Sequence, residues 1–163
     1  MRSTITTSLL MTLMAIGNAY AASAVCPAVS EISQVKDEHE GGYEYFAPGP
    51  NNRVWVGSNP KAEEHHIKTF EYTGALYRDV SSQGNTFVVS CDYEGEDFLA
   101  FTRLTLYSFK DWKPAANTLW KREVNKQPPA ANKNAKHVEA CGSEEQEKCA
   151  FEYSSLSAAQ AQK

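Results

Sequence analysis

Short segments of this chain alternate between apolar and polar residues, and glycine, proline, asparagine and acidic residues separate them. In residues 86–93, one set of alternate positions holds Phe87, Val89, Cys91 and Tyr93. Side chains alternate between the two faces of a β-strand, whereas an apolar helix face recurs every three to four residues. The pattern therefore predicts an antiparallel β domain in which this segment turns Cys91 toward the core.

The same alternation predicts further strands at residues 43–46, 53–56, 69–77, 98–109 and 119–124. In the third of these segments, Phe70, Tyr72 and Leu76 fall on one face. We expect that face to be buried together with the apolar face of residues 86–93, because a half-buried strand turns one complete face to the core.

The acidic turn at residues 94–97 joins two of these segments into a predicted hairpin. Along the second strand of the hairpin the apolar positions change phase, from Leu99 and Phe101 to Leu104 and Leu106. An extra residue in one strand shifts the phase in this way. The sequence therefore predicts a β-bulge near Thr102 and Arg103.

This arrangement predicts an all-β fold, a small antiparallel sandwich or open barrel stapled by two disulfides, in one domain at residues 25–124. Residues 125–136 contain two adjacent prolines and no large apolar side chain, which predicts an extended linker over residues 125–138. A short irregular segment closed by a disulfide, residues 139–153, is expected to pack on the domain. The tail at residues 154–163 is expected to be disordered.

The N-terminus has the features of an export signal. Arg2 precedes an apolar run at residues 9–16 and small residues follow, so residues 1–24 are predicted to be a signal peptide cleaved after Ala21 or Ala24. The run is shorter than the roughly 20 residues that cross a bilayer, so no transmembrane segment is expected. The mature protein is therefore expected in the periplasm or outside the cell.

All four cysteines follow the predicted signal, in a compartment where thiols oxidise, so we expect two disulfides rather than metal ligands or a nucleophile. Cys141 and Cys149 enclose a short loop with a glycine and a charged turn, and they can meet without help from the rest of the fold. Cys26 is then left to pair with Cys91. Of the three pairings that four cysteines allow, this one is predicted.

The chain carries 16 basic and 20 acidic residues, a formal net charge of −4. Binding to a nucleic-acid backbone depends on cationic side chains, so the charge argues against nucleic acid as a partner. A mild negative charge keeps an exported protein soluble, and if it selects a partner, that partner is cationic. We expect a monomer.

The cysteines and tryptophans fall into an ordered set of landmarks: Cys26-Pro27, Ile32, Trp55 followed by Gly57, Cys91-Asp92-Tyr93, Trp120, and Cys141 to Cys149 followed by Phe151. Together they resemble a family of small exported bacterial proteins, the domain of unknown function 3757. The resemblance spans nearly the whole predicted mature chain. It implies a protein of the bacterial envelope or a secreted one, and it supplies no activity, cofactor or catalytic residue.

Catalytic and metal-binding signatures are weak in this sequence. His65 and His66 follow two glutamates, but adjacent side chains diverge on a strand or a helix, so no metal site is predicted there. His39 lies in an acidic stretch without the spacing of a calcium loop. We therefore predict no cofactor, no metal and no enzymatic activity. The alternative is a small extracytoplasmic hydrolase that combines these histidines with Asp92 or Glu96.

An exposed aromatic surface is the remaining candidate site. Arg53 and Trp55 would share the strand face opposite two valines, and Tyr43 and Tyr45 come from the preceding strand. Such a surface suits a sugar ring or a protein. The alternative is that Trp55 packs under the C-terminal segment. The sequence thus predicts a non-enzymatic binding module for an unknown protein or glycan, such as an inhibitor or immunity-type factor.

Overall fold

A computed structural model describes residues 21–124 and 130–157 of the chain. Over these residues the chain forms strands and short 3-10 turns, without an α-helix. In chain order the strands are β1 (Ala22–Ala24), β2 (Ser33–Lys36), β3 (Tyr43–Pro48), β4 (Val54–Asn59), β5 (Glu71–Val80), β6 (Thr86–Glu94), β7 (Phe101–Leu106), β8 (Phe109–Lys110), β9 (Lys113–Pro114), β10 (Lys121–Arg122), β11 (Val138–Gly142), β12 (Phe151–Tyr153) and β13 (Ser155–Leu156). The 3-10 turns are Val29–Glu31, Pro50–Asn52, His66–Thr69, Ala130–Asn132 and Gln146–Cys149. The predicted all-β class is confirmed.

The strands form one large open sheet and two small ones, and their pairings are antiparallel. The large sheet has eight strands in the order β10-β11-β5-β6-β7-β4-β3-β2. A second sheet has the order β1-β12-β9, and β13 pairs with β8. The predicted hairpin is present as β6 and β7. We call the face of the large sheet that packs on the small sheets the inner face, and the opposite one the outer face.

The hydrophobic core includes the inner face and the aromatic residues of the small sheets. The fully buried side chains of the inner face include Tyr45, Trp55, Val89, Cys91, Tyr93 and Leu104. The ring of Trp55 lies 6.0 Å from that of Phe109 in β8, and Phe109 lies 5.2 Å from Phe151 in β12, measured between centroids. These contacts remove large apolar surfaces from water and therefore hold the sheets together.

Both predicted disulfides are present, Cys26 with Cys91 and Cys141 with Cys149. The first ties the N-terminal segment to the middle of β6 across 65 positions of sequence. The second joins β11 to the 3-10 turn before β12 across 8 positions. All four cysteines are buried, so both bonds belong to the core.

The strand β6 is buried on both faces, which differs in part from the prediction. Val89, Cys91 and Tyr93 face the core as predicted, but Phe87 is 38% exposed. The φ angle of Phe87 is 53°, in the left-handed region that a bulky residue rarely adopts, and this breaks the alternation of the strand. Val88 is buried on the outer face. The prediction that Phe87 shares the buried face is therefore wrong.

The β-bulge lies in β5, where it changes which residues face the core. The register of β5 against β6 shifts between Tyr72 and Gly74. After the shift, Ala75 and Tyr77 are buried in the core cluster, whereas Leu76 is only half-buried and lies on the outer face. The prediction that Leu76 is buried with Tyr72 is wrong because the bulge exchanges the two faces.

In β7 the predicted bulge does not occur. This strand pairs with β6 without a shift from one end to the other. Thr102, Leu104 and Leu106 are buried, and they alternate with the exposed Phe101 and Arg103. The inward positions are occupied by Thr102, Leu104 and Leu106, and Phe101 points outward. The apparent change of phase in the sequence therefore comes from an exposed phenylalanine and a buried threonine.

The C-terminal part of the chain is more closely integrated into the fold than the sequence predicted. The strand β11 is not a separate segment packed on the domain but a member of the large sheet, between β10 and β5. The strand β13, inside the tail predicted to be disordered, pairs with β8. Pairing with distant strands orders segments whose own residues have little preference for β-structure. Within the predicted linker and tail, residues 125–129 and 158–163 lie outside the described residues.

The predicted signal peptide lies mostly outside the described residues, which begin at residue 21. Its predicted end is part of the fold, because Ala22–Ala24 form β1 and pair with β12. Over the ranges that the structure describes, no helix has both the length and the apolar character needed to cross a membrane.

Candidate functional site

The aromatic surface predicted from Arg53, Trp55, Tyr43 and Tyr45 does not form. Trp55 and Tyr45 are fully buried, whereas Val56 is 45% exposed. The inner face of β4 meets the aromatic residues of the small sheets, where a tryptophan buries more apolar area than a valine, so Trp55 turns inward. The alternative, a packed Trp55, is the observed arrangement. Tyr43 packs against the core, and Arg53 lines a groove on the opposite face.

A groove of about 740 Å³ lies on the outer face of the large sheet. Residues of β4, β5, β6 and β7 line it together with the loop at residues 81–85. Its lining includes Arg53, Val54, Val56, Arg78, Arg103 and Tyr107. The groove thus combines apolar and cationic side chains that alternate with core residues along the same strands. We call it the outer groove.

A glycine allows two strands to meet beneath the outer groove. A Cβ at Gly57 would lie 2.5 Å from the backbone oxygen of Arg103, so a larger residue could not occupy this position without moving β4 away from β7. The two strands pair at Val56 and Thr105. The close approach brings the exposed valines of β4 next to the arginine of β7.

Arg78, Arg103 and Asp92 form a charged cluster at the site. Arg103 donates to both carboxylate oxygens of Asp92, from Nε at 2.5 Å and from Nη2 at 2.7 Å, and this pairing raises the pKa of Arg103. Arg78 is 6% exposed and donates from Nη2 to Ser90 Oγ at 2.9 Å. Burial, followed by the nearby charge of Arg103, lowers the pKa of Arg78, but its guanidinium stays charged at neutral pH. Two cations therefore share the neighbourhood of one carboxylate.

Arg53 is another cation of the outer groove, and contacts with Tyr107 and Ser157 are described for it. Its guanidinium carbon lies 5.7 Å from the centroid of the Tyr107 ring, within the range of a cation–π interaction. Its Nη1 donates to the backbone oxygen of Ser157 at 2.5 Å. The residue that follows β13 thus helps to position a side chain of the site.

Basic side chains outnumber acidic ones in the part of the groove lining that the structure describes. Arg53, Arg78 and Arg103 lie there with one glutamate, Glu44, and Arg103 is paired with Asp92. The whole chain carries −4. The described lining is therefore richer in basic residues than the protein as a whole.

The histidines and carboxylates predicted for a hydrolase are spread over the molecule. His39 is exposed in the loop between β2 and β3, and Glu96 is exposed in the turn between β6 and β7. Asp92 is bonded to Arg103. His66 is buried at the start of a 3-10 turn. None of the described histidines is in the lining of the outer groove.

One cluster places possible metal ligands together. Glu63, His65 and His66 each offer one atom within 4.8 Å of the others, and the two rings lie 4.6 Å apart between centroids. Adjacent side chains diverge on a regular strand or helix, but the local turn brings these two histidine rings together. His66 Nδ1, however, accepts a hydrogen bond from the backbone amide of Glu63 at 3.1 Å. A neutral imidazole has one acceptor nitrogen, so this ring has no lone pair left for an ion.

One histidine and the carboxylate beside it were not predicted from the sequence. His137 Nε2 lies 2.8 Å from Glu139 Oε1, and both side chains are partly buried. The ring of His137 meets Tyr77 edge to face, with centroids 5.5 Å apart. His137 and Glu139 are two positions apart in the sequence, and this spacing places both side chains on one face of an extended chain. That spacing could have indicated the pair. Glu139 pairs with Tyr77, an inner-face residue, so this pair and the outer groove lie on opposite faces of the sheet.

A family model described as "Protein of unknown function (DUF3757)" matches residues 21–152 of the chain. No curated protein matches the chain, and no solved structure does. The matched range begins just before β1 and ends within β12, so it includes both disulfides and the lining of the outer groove.

Proposed function

We propose that the chain, which belongs to the DUF3757 family of proteins of unknown function, is an exported, non-enzymatic module that binds a partner in the outer groove. One observation carries this proposal: the sheet leaves a groove open on one face, with Val54 and Val56 exposed by 49% and 45% beside cationic side chains. Exposed apolar side chains that cluster beside charges are typical of a binding surface. An inhibitor or immunity-type factor that occludes another protein is one such module.

The composition of the groove supports binding rather than hydrolysis. Its cations are arginines, which do not exchange protons at neutral pH and so cannot serve as general acids or bases. Asp92, the carboxylate next to them, is engaged by Arg103 through both oxygens. The His137 and Glu139 pair lies on the other face of the sheet. These placements favour the binding module over the hydrolase that combines His39, His65, His66, Asp92 or Glu96.

Export is supported by the two disulfides and by the apolar N-terminal run of the sequence. The strand β1 helps to choose between the two predicted cleavage positions. Cleavage after Ala24 would remove the whole of Ala22–Ala24, which pairs with β12, whereas cleavage after Ala21 would keep it. We therefore expect the mature chain to begin at Ala22.

The intact mass of the protein recovered from outside the cytoplasm tests this expectation. A mass that corresponds to a chain from Ala22 with both disulfides formed would agree with it. A chain that begins at Val25 would show that β1 is dispensable, and a protein that keeps residues 1–21 would refute the export proposal.

Partner capture tests the binding proposal. The oxidised mature protein would be crosslinked in bacterial envelope extract in three forms: unchanged, Val56→Glu, and the matched control Leu119→Glu. Val56 and Leu119 are similarly exposed, at 45% and 47%, and Leu119 is not in the lining of the groove. We expect a partner that the unchanged protein and Leu119→Glu capture and that Val56→Glu loses. Equal capture by all three forms would place binding elsewhere.

A further inference from the structure

We infer that the end of the hairpin formed by β6 and β7, residues 94–101, docks on a basic surface of a partner protein, with Phe98 packed against an apolar part of that surface. We call residues 94–101 the hairpin tip. The inference goes beyond the proposed function, because no residue of the hairpin tip is in the described lining of the outer groove.

Phe98 points into solvent at the hairpin tip. It is 93% exposed, the highest value among the large apolar residues that the structure describes. Phe101 is 46% exposed, and both residues line a shallow pocket of about 330 Å³. Transfer of an exposed phenylalanine from water to an apolar environment is favourable, and aromatic side chains are typical anchors of protein interfaces. The hairpin tip therefore offers an apolar contact that the fold itself does not use.

Hydrogen bonds hold the backbone of the hairpin tip in one shape. Asn59 is 1% exposed and donates from Nδ2 to the backbone oxygens of Leu99 and Phe101, at 2.8 and 2.9 Å. Asp97 Oδ1 accepts from the backbone amide of Leu99 at 2.7 Å, and the amide of Ala100 donates to the backbone oxygen of Asp97 at 2.8 Å. Little backbone freedom is therefore lost when the exposed ring docks, which favours binding.

Carboxylates accompany the exposed rings. The hairpin tip contains Glu94, Glu96 and Asp97 and no basic residue. Glu94 is paired across the sheet with Glu71 of β5, and both are exposed. Like charges at directly opposite positions of two strands are destabilising. Among the ion pairs of the described residues, none includes one of these four carboxylates. A basic surface would offset this repulsion and is the complementary one.

The same carboxylates disfavour two other occupants. An exposed phenylalanine can also enter a membrane interface, but anionic lipid headgroups would repel the acidic residues beside it. A second copy of this chain carries the same formal charge of −4 and the same acidic tip, so two copies would repel each other there. A partner protein with basic side chains around an apolar patch suits both the ring and the carboxylates.

The test is a nuclear magnetic resonance titration of the oxidised, isotope-labelled mature protein. The probes are a capped peptide of two arginines and two leucines, the same peptide with neutral citrulline in place of arginine, and vesicles of phosphatidylcholine and phosphatidylglycerol. We expect the arginine peptide to shift signals of residues 94–101 and of Glu71, and the citrulline peptide to bind about tenfold more weakly. This difference should shrink as salt is added, because salt screens charges. The vesicles should cause no shift.

Two variants with matched controls make the result specific. Phe98→Ser should weaken binding of the arginine peptide about tenfold, because it removes the apolar anchor, whereas Phe87→Ser, at the opposite end of β6, should leave binding unchanged. Glu96→Gln should weaken binding about two- to fivefold, and Glu123→Gln, at another exposed carboxylate, should not. Dispersed spectra would show that the variants are folded, and if Phe98→Ser is not, Glu96→Gln decides the question.

Four results would each overturn the inference: unchanged binding to Phe98→Ser, equal binding of the arginine and citrulline peptides, shifts that map away from the hairpin tip, or absence of binding at millimolar concentration. Vesicle binding that depends on Phe98 would replace the partner protein with a membrane, and tip signals that shift with the protein's own concentration would replace it with a second copy. Partner capture that depends on Val56 tests the outer groove separately, so the proposed function and this inference can fail independently.

Discussion

The two faces of β4 differ sharply although they alternate within one short strand. Trp55 is fully buried on the inner face and contacts Phe109, while its neighbour Val56 is 45% exposed on the outer face. The same contrast extends across the sheet, from the core around Cys91 to the charged groove around Arg103. Burial on one face stabilises the fold, and the opposite face keeps apolar and cationic side chains accessible. Under the proposed function, the same strands hold the core on one face and the binding surface on the other.

The disulfides should give the largest effect on the inner face. Replacing Cys91 opens the long N-terminal loop and leaves a cavity in the core, whereas Cys149 closes only a short loop. Chain entropy alone gives about 4 kcal/mol for the long bond and about 2.5 kcal/mol for the short one. We therefore expect Cys91→Ala to have a clearly lower melting temperature than Cys149→Ala. Equal melting temperatures would show that the long bond does not organise the core.

Adjacent substitutions in β4 should separate the two faces next. Trp55→Ala removes a fully buried ring and should lower the free energy of unfolding by about 3 to 5 kcal/mol. Val56→Ala removes a half-exposed side chain and should change it by less than about 0.5 kcal/mol. Urea unfolding of both variants measures the difference. Similar losses would mean that the outer face also holds the fold together.

Alkaline pH should unfold the protein through its inner face. Burial raises the pKa of Tyr45 and of Tyr77 to about 12, and it raises the pKa values of Tyr72 and Tyr93 further. Above about pH 10 the unfolded chain loses these protons and the folded chain keeps them, so the unfolded state binds fewer protons and stability falls as pH rises. Below about pH 10 this loss is absent. Tyrosinate absorbance and circular dichroism should therefore change together. Ionisation of these tyrosines near pH 10 without unfolding would contradict their burial.

The ion pair of the outer face should give the smallest effect. Arg103 and Asp92 are 45% and 29% exposed at their side chains, so solvent weakens the pair and Arg103→Gln should cost about 1 kcal/mol or less. The control is Lys113→Gln, which breaks the exposed pair with Glu152 on another sheet. Thermal unfolding compares the two variants. A cost several times larger for Arg103 would make the pair a structural element rather than part of a binding surface.

The sequence predicted the class of the fold, the hairpin of β6 and β7 and both disulfides, because these depend on local alternation and on chain geometry. It could not predict which face of β4 is buried. Alternation separates Trp55 from Val56 but does not say which side meets the core, and that depends on Phe109 and the distant β12. The exposed aromatic surface failed for this reason.

The bulge in β5 was also beyond the sequence pattern. It lies where β5 meets a distant segment: a Cβ at Gly74 would lie 2.5 Å from the backbone oxygen of Cys141, so the glycine allows β11 to approach closely. The predicted hairpin places Asp92 and Arg103 on neighbouring strands, but their pairing was not predicted, because the bulge expected near Thr102 and Arg103 does not occur. The positions of Arg53 and Arg78 could not be inferred, because they depend on pairing between segments that are distant in sequence.

Val56→Glu tests the division between the two faces most directly, with melting temperature and partner capture measured on the same sample. Because Val56 points out of the core, we predict a melting temperature close to that of the unchanged protein and loss of the captured partner. Leu119→Glu should change neither quantity. A large drop in melting temperature, or full retention of the partner, would contradict the account that the outer groove serves binding while the inner face holds the fold.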